Sequence, residues 1–105
     1  MANAQKNDVI YVDTTGDITV ESQRPVLLGM NVEPNGTSPV TIIIKETSSS
    51  GTIKFKLIRA ETLETFFVDL GMLCRGHGIV LTPTFNINIT NVTSVTLYGQ
   101  WNLKV

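Results

Sequence analysis

The sequence predicts an all-β protein, a single-domain antiparallel β-sandwich that is jelly-roll-like and has about eight short strands. Apolar and polar residues alternate with period two in several short segments, which is typical of half-buried strands. Turn-forming residues separate these segments. The one candidate helical turn, residues 59–64, is too short to form a stable helix. A chain of 105 residues is one domain.

The clearest alternation lies near the end of the chain, where Gly76–Leu103 contains no Lys, Arg, Asp or Glu. The apolar side of its first run consists of Phe85, Ile87 and Ile89. The apolar side of its second run consists of Val95, Leu97, Trp101, Leu103 and Val105, with a gap at Gly99. The connection, Asn91–Ser94, is short and rich in turn formers. The sequence therefore predicts an antiparallel hairpin here, with Trp101 in the core.

The rest of the chain supplies the other strands. They are predicted at residues 9–12, 18–20, 25–32, 40–46, 52–58, 65–69 and 79–82. The strand that begins at Pro25 is predicted to turn one face inward, formed by Val26, Leu28, Met30 and Val32. Asn35-Gly36 and Ser48–Gly51 predict turns. Residues 1–7 are small and polar, so we expect a flexible arm before a sandwich of residues 8–105.

Composition argues against several classes of partner. The formal net charge is −1 and only 16% of residues are charged, so no basic field exists to attract nucleic acid or an anionic membrane. Weak self-repulsion favours association. The first residues have no apolar core of a signal peptide, and the longest apolar runs are far too short to span a membrane. We therefore expect synthesis in the cytoplasm.

Cys74 and His77 are the obvious catalytic candidates, because a thiolate nucleophile needs a nearby base. They lie in a glycine-rich segment and could touch. However, they are the only Cys and the only His of the chain, and a structural zinc site needs four ligands. A lone cysteine also excludes an intrachain disulfide. We therefore interpret the segment as a loop and the protein as non-enzymatic, without metal or cofactor.

Two groups of carboxylate residues are further candidates for a functional site. Asp8, Asp13 and Asp17 lie near one turn and could start a calcium site, which needs six to eight oxygen ligands. Glu61 and Glu64 could resemble a glycosidase pair, which needs a cleft between its two carboxylates. Turn capping and a solvated corner explain these residues better.

The outer, uncharged face of the predicted hairpin is the most informative functional feature. Its members are Asn86, Asn88, Thr96, Tyr98 and Gln100. Protein interfaces are enriched in aromatic residues and depleted in Lys, Glu and Asp, so we predict that this face contacts another protein. A carbohydrate platform, with Tyr98 stacking on a sugar, is the alternative, and an ordinary solvent-facing surface is the third possibility.

Four segments resemble small virion proteins of tailed bacteriophages. They are Gly51–Ile58, Thr65–Leu70, Gly76–Thr82 and Thr93–Tyr98. Together they span residues 51–98, about half of the chain. Gln100–Val105 and the Cys-Arg-Gly-His segment at 74–77 depart from the resemblance.

The resemblance implies a capsid decoration (cement) protein that stabilises the head shell of a virion. Its partners would be the major capsid protein and copies of itself, as a trimer or a dimer, at the capsid surface. A minor component of the fibre, tail or head–tail adaptor is the alternative within the same resemblance. The N-terminal arm would suit strand addition to the edge of a neighbour.

Overall fold

The computed structural model describes residues 4–6, 9–36, 38–60, 64–70 and 78–101, with the backbone alone for residues 4–6. These residues form two antiparallel sheets that enclose one apolar core. The predicted β-sandwich is therefore confirmed. The alternation of β-branched and polar residues produces it, because each sheet buries one face.

The described residues form ten strands, against about eight expected. Their bounds are β1 Ala4–Lys6, β2 Val9–Val12, β3 Gly16–Thr19, β4 Val26–Pro34, β5 Val40–Glu46, β6 Ile53–Arg59, β7 Phe66–Asp69, β8 Ile79–Val80, β9 Thr84–Thr90 and β10 Val92–Gln100. Part of the predicted flexible arm is a strand, since β1 pairs antiparallel with β2. The other arm residues lie outside the described ranges.

The two sheets alternate along the chain. The first, called sheet A, has the order β1-β2-β10-β4-β7, and β8 also pairs with β4. The second, sheet B, has the order β3-β9-β5-β6. Consecutive strands β2 and β3, β3 and β4, and β4 and β5 lie in different sheets, so each of these connections passes from one sheet to the other. The predicted turn at Ser48–Gly51 does join a true hairpin, β5 and β6.

The predicted hairpin of β9 and β10 is wrong. β9 pairs with β3 and β5 in sheet B, whereas β10 pairs with β2 and β4 in sheet A. Only Asn91 separates the two strands, with a φ of 61°, and a tight hairpin needs at least a two-residue loop. The chain therefore forms an arch, in which the apolar sides of the two strands face each other across the core.

The core is continuous between the sheets. Fully buried side chains include Ile10, Met30, Val32, Val95 and Leu97 from sheet A and Ile42, Ile44, Phe85 and Ile87 from sheet B, with Trp101 at one end. The buried positions of Ile42, Ile44 and Trp101 are as predicted.

The predicted inner face of β4 needs one correction. Leu27 is fully buried, whereas Val26 and Leu28 are only half-buried. The pairing with β10 shifts register between Gly29 and Leu27. This bulge changes which side chains point inward, because a one-residue slip exchanges the two faces of a strand.

Several predictions fall outside the described residues. They are residues 71–77 of the loop predicted at 71–78, with Cys74 and His77, residues 61–63 of the turn predicted at 59–64, and the last four residues of the chain. Within the described ranges, no helix has the length and apolar character that a membrane crossing requires.

Candidate interaction surface

The five residues predicted to form one face lie on two. Thr96, Tyr98 and Gln100 belong to β10 in sheet A, while Asn86 and Asn88 belong to β9 in sheet B. Because β9 and β10 form an arch, their polar sides point away from each other, to opposite outer faces of the sandwich. The predicted single polar face is therefore corrected to two separate groups.

The group on sheet B is engaged within the sheet. Asn86 is only 7% exposed, and its Nδ2 donates a hydrogen bond to Oδ1 of Asp17 over 2.9 Å. Asn88 is exposed, and its Oδ1 accepts a hydrogen bond from the Thr90 hydroxyl over 3.4 Å. Asn86 therefore joins β9 to β3, and Asn88 alone of the two is open to a partner.

The group on sheet A belongs to a larger aromatic surface. Across the sheet, Tyr11 pairs with Thr96, Thr96 with Asn31, and Asn31 with Phe67. The exposed fractions are 40% for Tyr11, 56% for Phe67 and 39% for Tyr98. We call these five residues the aromatic face. It crosses four strands, so it is about 14 Å wide at the usual strand spacing.

Two of its rings touch over a glycine. The ring centroids of Phe67 and Tyr98 are 5.9 Å apart and their planes are tilted by 52°. Gly29 pairs with Tyr98 in the neighbouring strand, and a Cβ at Gly29 would lie 2.8 Å from Cζ of Phe67. Gly29 therefore leaves the space in which the Phe67 ring reaches across β4, an arrangement in which an aromatic ring covers a glycine of the sheet.

The aromatic face combines apolar surface with hydrogen-bonding groups. Aromatic rings supply a large apolar contact area and the phenol groups can hydrogen-bond. Thr96 and Asn31, both half-buried, place polar groups between Tyr11 and Phe67. Such a mixture is typical of the centre of protein interfaces and of sugar-binding platforms.

Sequence reasoning placed Tyr98 on an outer face and missed Tyr11 and Phe67. Both lie in predicted strands, and the adjacent pair Phe66-Phe67 had to direct one ring outward, because successive side chains alternate. The adjacent Phe residues in the sequence therefore indicated that one aromatic ring is exposed. What the sequence does not provide is the strand order, which brings the three aromatic residues to one face.

The structure describes only some of the residues predicted as catalytic or metal-binding candidates. Cys74 and His77 lie outside the described residues. Among the residues that are described, no three His, Cys, Asp or Glu side chains cluster as metal ligands would. Asp17, one of the calcium candidates, accepts the hydrogen bond from Asn86 instead.

Comparison with known proteins adds little. No protein-family model matches the chain, and no curated protein matches it. One similar solved structure is described by the words "Bacillus endospore appendages form a novel family of disulfide-linked pili". It is 18% identical over 95% of each chain, with a TM-score of 0.39. This likeness is too low to assign a family or a function, and the fold assignment rests on the two sheets described above.

Proposed function

We propose that this chain is a non-enzymatic structural protein that assembles with copies of itself through the aromatic face. The observation that carries the proposal is the exposure of Tyr11, Phe67 and Tyr98 on one side of sheet A. Removing apolar surface from water contributes about 25 cal/mol for each Å², and this contribution opposes the loss of translational, rotational and side-chain freedom on association. The low charged fraction, 16%, lowers the electrostatic cost of bringing copies together.

The resemblance gives this proposal its specific form. A capsid decoration protein would use such a face to contact its own copies or the major capsid protein, and would stabilise the head shell as a trimer or dimer. Contact between two aromatic faces about a twofold axis would pair the same residues on both subunits. Tyr98 would lie near the centre of that contact, since β10 is a central strand of sheet A.

A matched pair of variants tests the proposal. Tyr98→Lys places a charge in the aromatic face, and Asn88→Lys places the same charge on the exposed side of sheet B. The mass of each protein is measured by sedimentation equilibrium over a range of concentrations. We expect Tyr98→Lys to shift association to at least tenfold higher concentration and Asn88→Lys to behave as the wild type. Equal association of Tyr98→Lys and the wild type would refute the use of this face.

Carbohydrate binding is the second candidate, and the contact of Phe67 with Tyr98 favours it. Two rings at 5.9 Å, next to the amide of Asn31, could stack on a sugar and hydrogen-bond to its hydroxyl groups. Glycan-array binding that is saturable and is lost in both Phe67→Ala and Tyr98→Ala would support this candidate. A monomeric protein that binds glycans would replace the assembly proposal with it.

A further inference from the structure

β3 and β6 are the edge strands of sheet B in the part of the chain that the structure describes. Within the described ranges, β3 pairs only with β9, and β6 only with β5. β6 is well exposed, with Ile53 at 50% and Ile58 at 64%. An open edge presents backbone N–H and C=O groups that can pair with a strand of another molecule.

The two edges carry opposite charge. The structure describes the side chains of five Lys and Arg residues, and four of them lie on β5 and β6: Lys45, Lys54, Lys56 and Arg59. Lys54 and Lys56 are exposed on the edge strand itself. At the other edge, Asp17 is exposed on β3, and its carboxylate is held by the hydrogen bond from Asn86. Sheet B therefore has a basic edge and an acidic edge.

The strand directions match these charges. All neighbouring pairs of sheet B are antiparallel, and the sheet has four strands. β3 and β6 consequently run in opposite directions. A second copy in the same orientation, placed beside the first, would present its β3 antiparallel to β6 and continue the sheet.

We infer that copies of this chain join head to tail, with β6 of one copy paired to β3 of the next and Lys54 and Lys56 beside Asp17 of the neighbour. The inference rests on the proposed self-assembly but uses a different surface from the aromatic face.

Pairing β6 with a second β6 would oppose lysines, and pairing β3 with a second β3 would oppose aspartates. Opposite charges across paired strands are favourable and like charges are unfavourable. The contact is therefore directional, and repeating it gives a ring or an open filament.

Zero-length cross-linking tests this contact directly. A water-soluble carbodiimide activates the Asp17 carboxyl group, the Lys56 or Lys54 amine attacks it, and an amide forms while the carbodiimide leaves as its urea. Within one chain, β3 and β6 are separated by three strand spacings, about 14 Å, which is too far for such a bond. We expect an Asp17–Lys56 or Asp17–Lys54 cross-linked peptide, and mixing ¹⁵N-labelled with unlabelled protein identifies it as intermolecular. Its absence from cross-linked assemblies would overturn the inference.

Charge variants provide a second readout. Lys54→Glu/Lys56→Glu makes the β6 edge acidic, and Gln23→Glu/Arg24→Glu changes the net charge almost equally at exposed positions outside sheet B. We expect the first double variant to lose the cross-link and to reduce head-to-tail association at least tenfold, and the second to retain both. Mixing the first variant with Asp17→Lys should restore hetero-association, because the acidic β6 then meets a basic β3. If the two double variants associate equally, the β6–β3 contact is refuted.

The aromatic face is tested separately in the same assay. In Tyr98→Lys the two edges of sheet B are unchanged, so the Asp17–Lys56 cross-link should persist even when the aromatic contact is lost. Persistence of the cross-link in Tyr98→Lys supports the edge contact. Loss of the cross-link in this variant would show that association depends on the aromatic face alone and would overturn the inference.

Discussion

The side-chain amide of Asn91 donates a hydrogen bond to the backbone carbonyl of Pro39 over 2.8 Å. Asn91 is the single residue between β9 of sheet B and β10 of sheet A. The backbone carbonyl oxygen of Asn91 also accepts a hydrogen bond from the backbone N–H of Asn35 over 3.2 Å. The arch is thus fixed to the segment that connects β4 to β5. It places Tyr98 on the outer face of sheet A rather than beside Asn88.

Asn91→Ala should destabilise the protein by about 2–3 kcal/mol. It removes one hydrogen bond, worth about 1 kcal/mol, and leaves Ala at a φ of 61°, which costs roughly 1–2 kcal/mol more. Asn91→Gly loses only the hydrogen bond and accepts the positive φ, so it should cost less. Urea denaturation of the two variants measures the difference. Equal losses in both variants would show that backbone strain has no part in fixing the arch.

Thr47→Asn should stabilise the protein. Thr47 has a φ of 71°, which a β-branched residue adopts only with strain, and Asn tolerates this region better. We expect a gain of about 0.5–1 kcal/mol in the free energy of unfolding. Thr52→Asn, at the other end of the same β5–β6 connection, serves as the control and should give no gain. A loss of stability in Thr47→Asn would mean that the hydroxyl contributes more than the strain costs.

Gly29→Ala should destabilise by about 1–3 kcal/mol through overpacking. The added methyl group would lie 2.8 Å from Cζ of Phe67 and 3.0 Å from the carbonyl oxygen of Val68. Truncation of Phe67 to Ala removes the first of these contacts. In a double-mutant cycle, Gly29→Ala should therefore cost less in the Phe67→Ala background, by at least about 0.5 kcal/mol. Strict additivity would argue against the packing of this ring over the glycine.

Trp101 should be a sensitive reporter of the core. It is the only Trp of the chain and is fully buried. Its ring stacks on Phe85 with centroids 5.8 Å apart. We expect blue-shifted fluorescence emission and weak quenching by acrylamide.

Truncation of the same ring tests the packing energetically. Trp101→Ala should cost about 3–5 kcal/mol. Trp101→Phe should cost clearly less, because it keeps an aromatic ring and removes an Nε1 that has no hydrogen-bond partner among the described residues. Red-shifted emission in the folded wild type, or equal losses in the two variants, would contradict this packing.

The sequence was sufficient for the strands other than β1 and for much of the core, because period-two alternation follows directly from the geometry of a strand. Ile42, Ile44 and Trp101 are buried as this pattern predicts. The alternation did not distinguish a hairpin from an arch, since both give β9 and β10 one apolar and one polar side. Strand partners are selected by packing between sheets, which a local pattern does not encode.

The candidate surface was only partly predictable for the same reason. Tyr98 was expected on an outer face and lies there. Its neighbours Tyr11 and Phe67 come from strands that are distant in the sequence. They reach Tyr98 only through the order β2-β10-β4-β7. Asn86 was expected on the contact surface, but its side chain is buried and donates a hydrogen bond to Asp17.

Hydroxyl-radical footprinting as a function of protein concentration tests the central claim most directly. The claim is that the aromatic face is buried between copies, and the reactivity of Tyr11, Phe67 and Tyr98 reports its exposure. We predict that these rings react in dilute protein and become at least several-fold protected as the protein associates, while buried Phe85 remains unreactive throughout. Unchanged reactivity of all three rings in associated protein would contradict assembly through the aromatic face.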